Sequence, residues 1–302
     1  MLLVTSIVAF LLPRLGGGDP ALVVAGSDAT AEQVEAVRVS MGLDRPLAVQ
    51  YVDWLSGVLT GDLGTSLISN RPIAQLILSR LGSTLELAIS ATILMVMFGF
   101  ALGILAGSTR QGVGRAVLDA VLGALVATPP HVTGLILILA LGIAWRLLPI
   151  SGEVSILVDP ATALSYLVLP AFALALPQAG TIARLIQARM YQVQQEEFVD
   201  LARAKGVPPR RIAISHVLRN SMGTAIVATG IRVGELLAGA VVMEAIFGRN
   251  GLGLMAVDAV SSRDYEVVQV LVLGAVVIAV VVHLFSEMLL AALDPRIRLD
   301  LS

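Results

Sequence analysis

The charged segment 200–206 contains the residue types that could do work at a membrane surface. It reads Asp-Leu-Ala-Arg-Ala-Lys-Gly and lies between two strongly apolar stretches. Its final glycine stands where a left-handed residue ends a helix, and the proline pair at 208 and 209 prevents the helix from continuing. We expect one helix over 192–205, a turn, and a second helix over 210–220. Such a hairpin either docks a partner protein or is a solvated basic loop.

A second set of candidate residues lies inside an apolar stretch. Arg232 and Glu235 are spaced i,i+3, so they meet on one helix face. Counted from Asn220, Arg232 is about 12 residues or roughly 18 Å deep, close to the middle of a bilayer. Gly239 continues the same small and polar stripe. Ionisable residues at this depth face the interior of a helix bundle or an aqueous path, so the pair is either a self-neutralising structural contact or part of a substrate path.

Several catalytic constellations are absent from the sequence. The only lysine is Lys205, directly before a glycine, so no G-x4-G-K-[ST] phosphate loop exists and any nucleotide hydrolysis must come from another chain. His131, His216 and His283 lie on different segments without metal-ligand spacing, and there is no cysteine. His283 and Glu287 predict an interfacial polar cluster. The sequence predicts a non-catalytic chain with no cofactor or metal of its own.

Composition places the chain in a membrane. It is 57% hydrophobic and 14% charged, whereas a soluble chain is nearer a quarter charged. We predict an all-α polytopic membrane protein in one transmembrane domain, 1–302, and no basic block indicates nucleic acid. The six predicted spans are 1–12, 87–109, 120–145, 160–183, 220–247 and 267–293. Because a span needs about 20 residues, we expect the first to lack its cytoplasmic end.

Arginines in the short loops predict the orientation. The connection between spans four and five is the most basic, whereas the opposite loops hold only Arg146, Arg249 and Arg263. Both termini and the segment 190–220 are therefore expected in the cytoplasm. The segment 16–83 becomes an extracytoplasmic insertion between spans one and two.

That insertion has its own helix signals. Thr30 is the predicted N-cap of a helix that runs to about Met41 and stops at Gly42. A second short helix over 51–59 would carry Trp54 as an interfacial anchor.

Small residues and prolines predict how the spans pack. Gly99, Gly103 and Gly107 form one row at four-residue spacing, and Gly230 and Gly234 form another. Such rows let helix backbones approach closely in lipid. The proline pair at 129 and 130 should kink the third span.

A series of short motifs, taken in order, resembles one known family. The motifs are Gly18-Asp19-Pro20, Gly42-Leu43-Asp44-Arg45-Pro46, Gly61-Asp62-Leu63-Gly64-Thr65-Ser66, Leu148-Pro149-Ile150-Ser151-Gly152, Ala202-Arg203-Ala204-Lys205-Gly206, Leu218-Arg219-Asn220-Ser221, Glu244-Ala245-Ile246-Phe247, Gly251-Leu252-Gly253, Arg263-Asp264-Tyr265 and Asp294-Pro295-Arg296-Ile297-Arg298. The chain resembles the first of the two permease subunits of bacterial dipeptide, oligopeptide and nickel ABC importers. It departs from that family at Asn250, where proline is usual, and at Arg232 and Glu235, which are usually uncharged positions.

The resemblance implies a type I ABC-importer permease fold in the bacterial cytoplasmic membrane, with peptides as substrates. It implies a second homologous permease, two cytoplasmic ATPase chains that bind ATP and Mg, and an extracytoplasmic binding protein. The segment 190–220 would be the EAA loop that couples to the ATPases. Its docking residues would be Glu197, Asp200, Ala202, Ala204, Lys205, Gly206, Arg210 and Arg211.

Other functions remain open on the sequence alone. Nickel or another small solute could be the substrate, and an exporter would use the same ATP-driven machinery. A secondary transporter would show inverted repeats with broken helices, and no such duplication is visible. A scaffold or signalling protein is the weakest alternative.

Overall fold

In a computed structural model, the described residues are 2–15, 19–26, 28–109 and 111–293. Within these ranges every regular element is helical, apart from an isolated antiparallel bridge between Thr65 and Pro72. The helices are α1 Leu2–Leu15, α2 Pro20–Ala25, α3 Ala31–Ser40, α4 Leu47–Thr60, α5 Ile73–Ser108, α6 Val113–Ala127, α7 Pro130–Leu137, α8 Pro160–Gln194, α9 Glu197–Ala204, α10 Pro209–Arg211, α11 Arg219–Phe247, α12 Leu252–Ser261 and α13 Tyr265–Leu293. Two π-helical segments, Ile138–Ala144 and Ile212–Leu218, extend α7 and join α10 to α11. The predicted all-α fold class is confirmed.

Four of the described helical runs are long and apolar enough to cross a membrane: α5, α8, the run Pro209–Phe247, and Tyr265–Val282 of α13. The helix α6 and the run Pro130–Ala144 meet at an angle of 106° and would form a fifth crossing if the two together make one span. The predicted kink at the proline pair is therefore a complete break between two helices. Pro130 is the first residue of its helix, where a missing backbone N–H costs least. The sixth predicted span rests on α1, whose 14 residues are fewer than a bilayer needs, and it stays a prediction.

The chain divides into two compact units, and the first comprises residues 1–84 and 250–280. Thr30 caps α3 as predicted, with its hydroxyl accepting from Gln33 N while the Gln33 side chain accepts from Thr30 N. The chain leaves that helix through Gly42 at φ 66°. The next helix, α4, begins at Leu47, four residues before its predicted start. Trp54 of α4 packs near the Phe10 ring of α1, with 5.7 Å between ring centroids.

Two of the sequence motifs meet in this unit. The Ser66 hydroxyl donates to Asp264 Oδ2 at 2.5 Å, and Leu67 N donates to Asp264 Oδ1 at 3.1 Å. Asp264 is buried, and a buried carboxylate needs hydrogen-bond partners. The loop that carries the Gly-Asp-Leu-Gly-Thr-Ser motif donates one hydrogen bond to each of its oxygens. These motifs hold each other in place.

The second unit comprises residues 85–249 and 281–302 and is built around α8. The predicted glycine row of α5 packs directly on this helix. A Cβ added at Gly103 would lie 2.8 Å from Ile186 Cβ, and one at Gly107 would lie 2.6 Å from Met190 Sδ. Only glycine allows this approach, so the row is confirmed as a packing surface. The second predicted row is looser, because a Cβ at Gly234 would only touch Val282 at 3.9 Å.

Arg249 is the largest fully buried side chain in the described residues. Gly248, in left-handed conformation at φ 60°, turns the chain out of α11 just before it. Arg249 Nη2 lies 3.5 Å from Glu86 Oε2 and 3.7 Å from Glu153 Oε2. Glu86 Oε1 also accepts from Ser155 Oγ and Ile156 N, both at 3.1 Å. This ionic cluster ties the loop before α8 to α5 and to the end of α11.

Candidate functional site

The predicted hairpin contains α9, a short helix that folds back on its neighbours. The expectation of one helix over 192–205 is wrong, because α8 ends at Gln194 and α9 begins at Glu197. The break lets Val193, at the end of α8, and Val199, in α9, enter the same buried apolar cluster. Burial of these side chains is a tertiary effect that outweighs the local helix preference of the segment.

The turn after α9 has the predicted conformation. Gly206 adopts φ 74°, and Val207 N donates to Ala202 O at 3.1 Å, as in a Schellman turn. A Cβ at Gly206 would meet nothing within 4 Å, so the backbone conformation alone demands glycine here. Pro209 is the first residue of the next helix.

The predicted boundary at Asn220 between a second hairpin helix and span five does not exist. Helix runs without interruption from Pro209 to Phe247, 39 residues in all. The π segment Ile212–Leu218 occupies the fourth to tenth residues of this run, and its backbone hydrogen bonds join residues five apart instead of four. Two side chains donate hydrogen bonds to backbone carbonyls along this stretch. Asn220 Nδ2 donates to His216 O, and Ser221 Oγ donates to Val217 O.

The predicted docking residues divide into one anchor and a set of exposed groups. Ala202 is buried beside Val199, so this side of α9 holds the helix to the body of the protein. The other predicted docking residues are exposed: Glu197, Asp200, Ala204, Lys205, Gly206, Arg210 and Arg211. The exposed Asp200 and Arg203 form an i,i+3 ion pair at 2.7 Å.

Sequence reasoning missed two apolar side chains on this surface. Phe198 is 41% exposed and Leu201 is 56% exposed, one turn apart on α9. The signal was present, because Val199 and Ala202 already supply an inward face and leave these two residues on another. The exposed surface of α9 therefore combines an apolar pair with charges of both signs.

The second candidate site brings Arg232 and Glu235 together as predicted. Arg232 Nη1 lies 2.6 Å from Glu235 Oε2. A third residue, missed by sequence reasoning, completes the group: Gln178 Nε2 of α8 donates to the same oxygen at 3.1 Å. The arginine and glutamate side chains keep 31% and 45% of their surface exposed. We call Gln178, Arg232 and Glu235 the mid-span triad.

Gly239 lies one turn beyond Glu235 but has a different environment. A Cβ placed there would come within 3.0 Å of Leu174 Cδ2, so Gly239 is where α11 crosses α8. The neighbouring Gln178 lies one helical turn from Leu174 on α8. Helix packing at Gly239 thus sets the separation at which Gln178 can reach Glu235.

A similar triad occurs between α6 and α8. Arg115 Nε lies 3.3 Å from Asp119 Oδ2, and Gln187 Nε2 donates to Asp119 Oδ1 at 2.5 Å. The arginine and aspartate are 26% and 48% exposed. Arg115 is close to the start of α6, in the region that the sequence predicts at the inner membrane surface.

Within the described part of the chain, no three His, Asp or Glu side chains gather where they could hold a metal ion. The side chains of His283 and Glu287 lie outside the described residues, as does the motif 294–298.

Comparison with known proteins places the chain in a transporter family. Residues 99–299 match the binding-protein-dependent transport system inner membrane component, and residues 1–88 match the N-terminal region of such membrane components. A probable peptide ABC transporter permease protein of Sinorhizobium fredii is 35% identical over 97% of this chain and 94% of its own length. The glutathione transport system permease protein GsiC of Salmonella choleraesuis is 36% identical over 98% of this chain and 94% of its own length. The inward-facing MetNI methionine ABC transporter shares the fold at a TM-score of 0.59 and 16% identity, covering 74% of this chain and 98% of the transporter chain.

Proposed function

This chain belongs to the family of inner membrane components of binding-protein-dependent transport systems, and we propose that it imports peptides with three kinds of partner. These are a second homologous permease, two cytoplasmic ATPase chains that bind ATP and Mg, and an extracytoplasmic substrate-binding protein. The observation that carries the proposal is α9, a short helix with an anchored inner face and an outer face of exposed apolar and charged residues.

The ATPases would dock on α9 and the residues around its turn. Val199 and Ala202 are buried and fix α9 to the body of the protein. A movement of the ATPases against Phe198 or Leu201 would therefore move the whole subunit. With Glu197, Asp200, Lys205, Arg210 and Arg211, the surface offers both charge signs for selecting the partner. A chain without a phosphate loop needs such a contact to use ATP.

The continuous helix Pro209–Phe247 would transmit the movement. It begins three residues after Gly206 and carries Arg232 and Glu235 further along. At 1.5 Å per residue the run is about 58 Å long, so a small tilt at its inner end displaces its far end by several ångströms. ATP-driven closure of the ATPases would thereby alternate the access of the path between the two sides.

The mid-span triad would line that path. Along the run Pro209–Phe247, Arg232 is about 35 Å from the first residue and about 22 Å from the last, so neither end is close enough for the charge to reach water easily. A charge that is 31% exposed at this depth does not face lipid. Gly239 supports the triad through its contact with Leu174 and need not touch the substrate.

Two relatives are a probable peptide permease and a glutathione permease, which supports a peptide substrate. A nickel importer is the alternative within the same family.

The docking surface is tested by replacing its exposed apolar residue. Leu201→Glu should reduce co-purification of the ATPase chains with the membrane complex by about tenfold, since central apolar contacts commonly contribute more than 1 kcal/mol. The membrane-inserted amount of the chain should not change, because Leu201 is 56% exposed. Leu157→Glu is the matched control, an apolar residue 94% exposed in the loop predicted on the opposite side. Normal ATPase binding by the Leu201 variant would exclude docking through α9.

A further inference from the structure

We propose that the mid-span triad is a substrate-contacting site for a solute that carries both an ammonium and a carboxylate group. Glu235 would bind the ammonium and Arg232 the carboxylate, while Gln178 orients Glu235. The inference rests on the proposed function as an importer and adds the chemistry that the path recognises.

Unused hydrogen-bonding capacity in the triad is the first support. Both donors converge on Glu235 Oε2, Arg232 Nη1 at 2.6 Å and Gln178 Nε2 at 3.1 Å. Within the described residues, no hydrogen bond is made to Glu235 Oε1 or from Nη2 and Nε of Arg232. A carboxylate can accept about four hydrogen bonds and a guanidinium can donate five. The exposed sides of both groups can therefore bind a ligand without first breaking the ion pair.

Charge balance is the second support. The triad carries one positive and one negative charge, so it neither attracts nor repels a zwitterion as a whole. A zwitterion matches each group with its opposite. A solute with a single charge would satisfy one member and bring a like charge near the other, which is unfavourable at a site partly removed from water. The guanidinium fork suits a carboxylate in particular, because it can make two parallel hydrogen bonds.

The origin of the three residues is the third support. Gln178 comes from α8, whereas Arg232 and Glu235 come from α11, and the two helices pack closely at Leu174 and Gly239. The site is thus held by rigid helices on both sides, which keeps its polar groups in a constant orientation.

The test pairs variants with altered peptides in the complete transporter. Proteoliposomes containing both permeases and the ATPases, supplied with binding protein and ATP, take up labelled trialanine, its C-terminal amide or its N-acetyl form. Loss of a charge-assisted hydrogen bond predicts that Arg232→Gln lowers uptake of free trialanine about tenfold more than uptake of the amide. Glu235→Gln should discriminate equally against the free amine relative to the acetylated peptide. Because wild type and variant share one binding protein, its own preference cancels in the double ratio.

The second triad supplies the matched control. Arg115→Gln with Asp119→Asn removes the same charges from a group of similar exposure that also includes a glutamine of α8. This variant should show no change in either ratio. Ratios near one for both Arg232→Gln and Glu235→Gln would overturn the site.

A further variant covers the case in which the altered peptides are not delivered at all. Arg232→Gln with Glu235→Gln should then take up trialanine about tenfold more slowly than the control double variant, with normal membrane level and ATPase binding. Equal uptake by the two double variants would overturn the site, as would loss of the assembled complex, which would assign the triad to subunit packing. Absence of peptide uptake by the wild-type complex would instead contradict the proposed function.

Discussion

Two arginines near the same helix, Arg249 and Arg232, show how one residue type takes two roles. Arg249 follows α11, is fully buried, and lies 3.5 Å and 3.7 Å from the carboxylates of Glu86 and Glu153. Arg232 lies within α11, is 31% exposed, and has one carboxylate at 2.6 Å. The buried group binds three chain segments together, whereas the exposed group leaves part of its surface available.

The difference lies in what solvent or a ligand can reach. A fully buried guanidinium can only exchange its partners if the surrounding structure opens, so its contribution is to stability. A half-exposed pair loses little when one contact is replaced by another, so it can take part in transient binding. Burial, more than charge, thus separates a structural ion pair from a candidate binding site.

The largest expected effect comes from Arg249→Met. This change leaves Glu86 and Glu153 next to each other without their cation, which costs roughly 3 kcal/mol or more when an ion pair is buried. We expect a strongly reduced amount of membrane-inserted protein and a lower melting temperature in detergent. Adding Glu86→Gln and Glu153→Gln should restore part of the loss. A single Arg249 variant as stable as wild type would show that burial does not distinguish the two arginines.

A smaller effect on folding is expected for Arg232→Gln. Its partner Glu235 is 45% exposed and keeps the hydrogen bond from Gln178, so the change should cost about 1 kcal/mol or less. The melting temperature should therefore fall much less than in the Arg249 variant, measured in the same detergent. A drop as large as that of Arg249→Met would mean that another subunit buries Arg232 in the assembled transporter.

The smallest effect on stability is expected at Asp159, which is an exposed charge at the start of α8. Asp159 caps α8, and hydrogen bonds from the Thr162 hydroxyl and from backbone N–H groups lower its pKa from the usual value. A lowered carboxylate pKa adds stability above the usual value, and this contribution is lost as the pH falls through the lowered pKa. Asp159→Asn should therefore melt slightly below wild type at neutral pH, and the gap should close in acid. A gap that stays constant with pH would show that the charge of Asp159 does not stabilise the cap.

Features specified by residues close together in sequence could be predicted. The capping box at Thr30, the turn at Gly206 and the break at Pro130 follow from the backbone chemistry of residues within a few positions. The packing of Gly103 on α8 could be predicted because regular spacing in an apolar helix has few other uses. The i,i+3 contact of Arg232 with Glu235 is also local and was confirmed.

Features that depend on residues far apart in sequence could not be predicted. The break between α8 and α9 has no strong local signal, since it exists to bury Val193 and Val199 in one cluster. The uninterrupted helix through Asn220 also depends on tertiary packing. Residues that favour a helix continue it until packing stops them, and no packing stops this one at Asn220. The hydrogen bond from Gln178 to Glu235 depends on the position of α8 beside α11, which no local sequence signal specifies.

The sequence by itself determined the membrane class, the family resemblance and the local turns, because composition, short motifs and backbone preferences act over a few residues. Tertiary structure alone decided which charged residues are buried and which stay accessible. Arg249 and Arg232 cannot be told apart by residue type. Their exposure depends on whether segments such as the Glu86 and Glu153 regions fold over them, and that is a property of packing between distant parts of the chain.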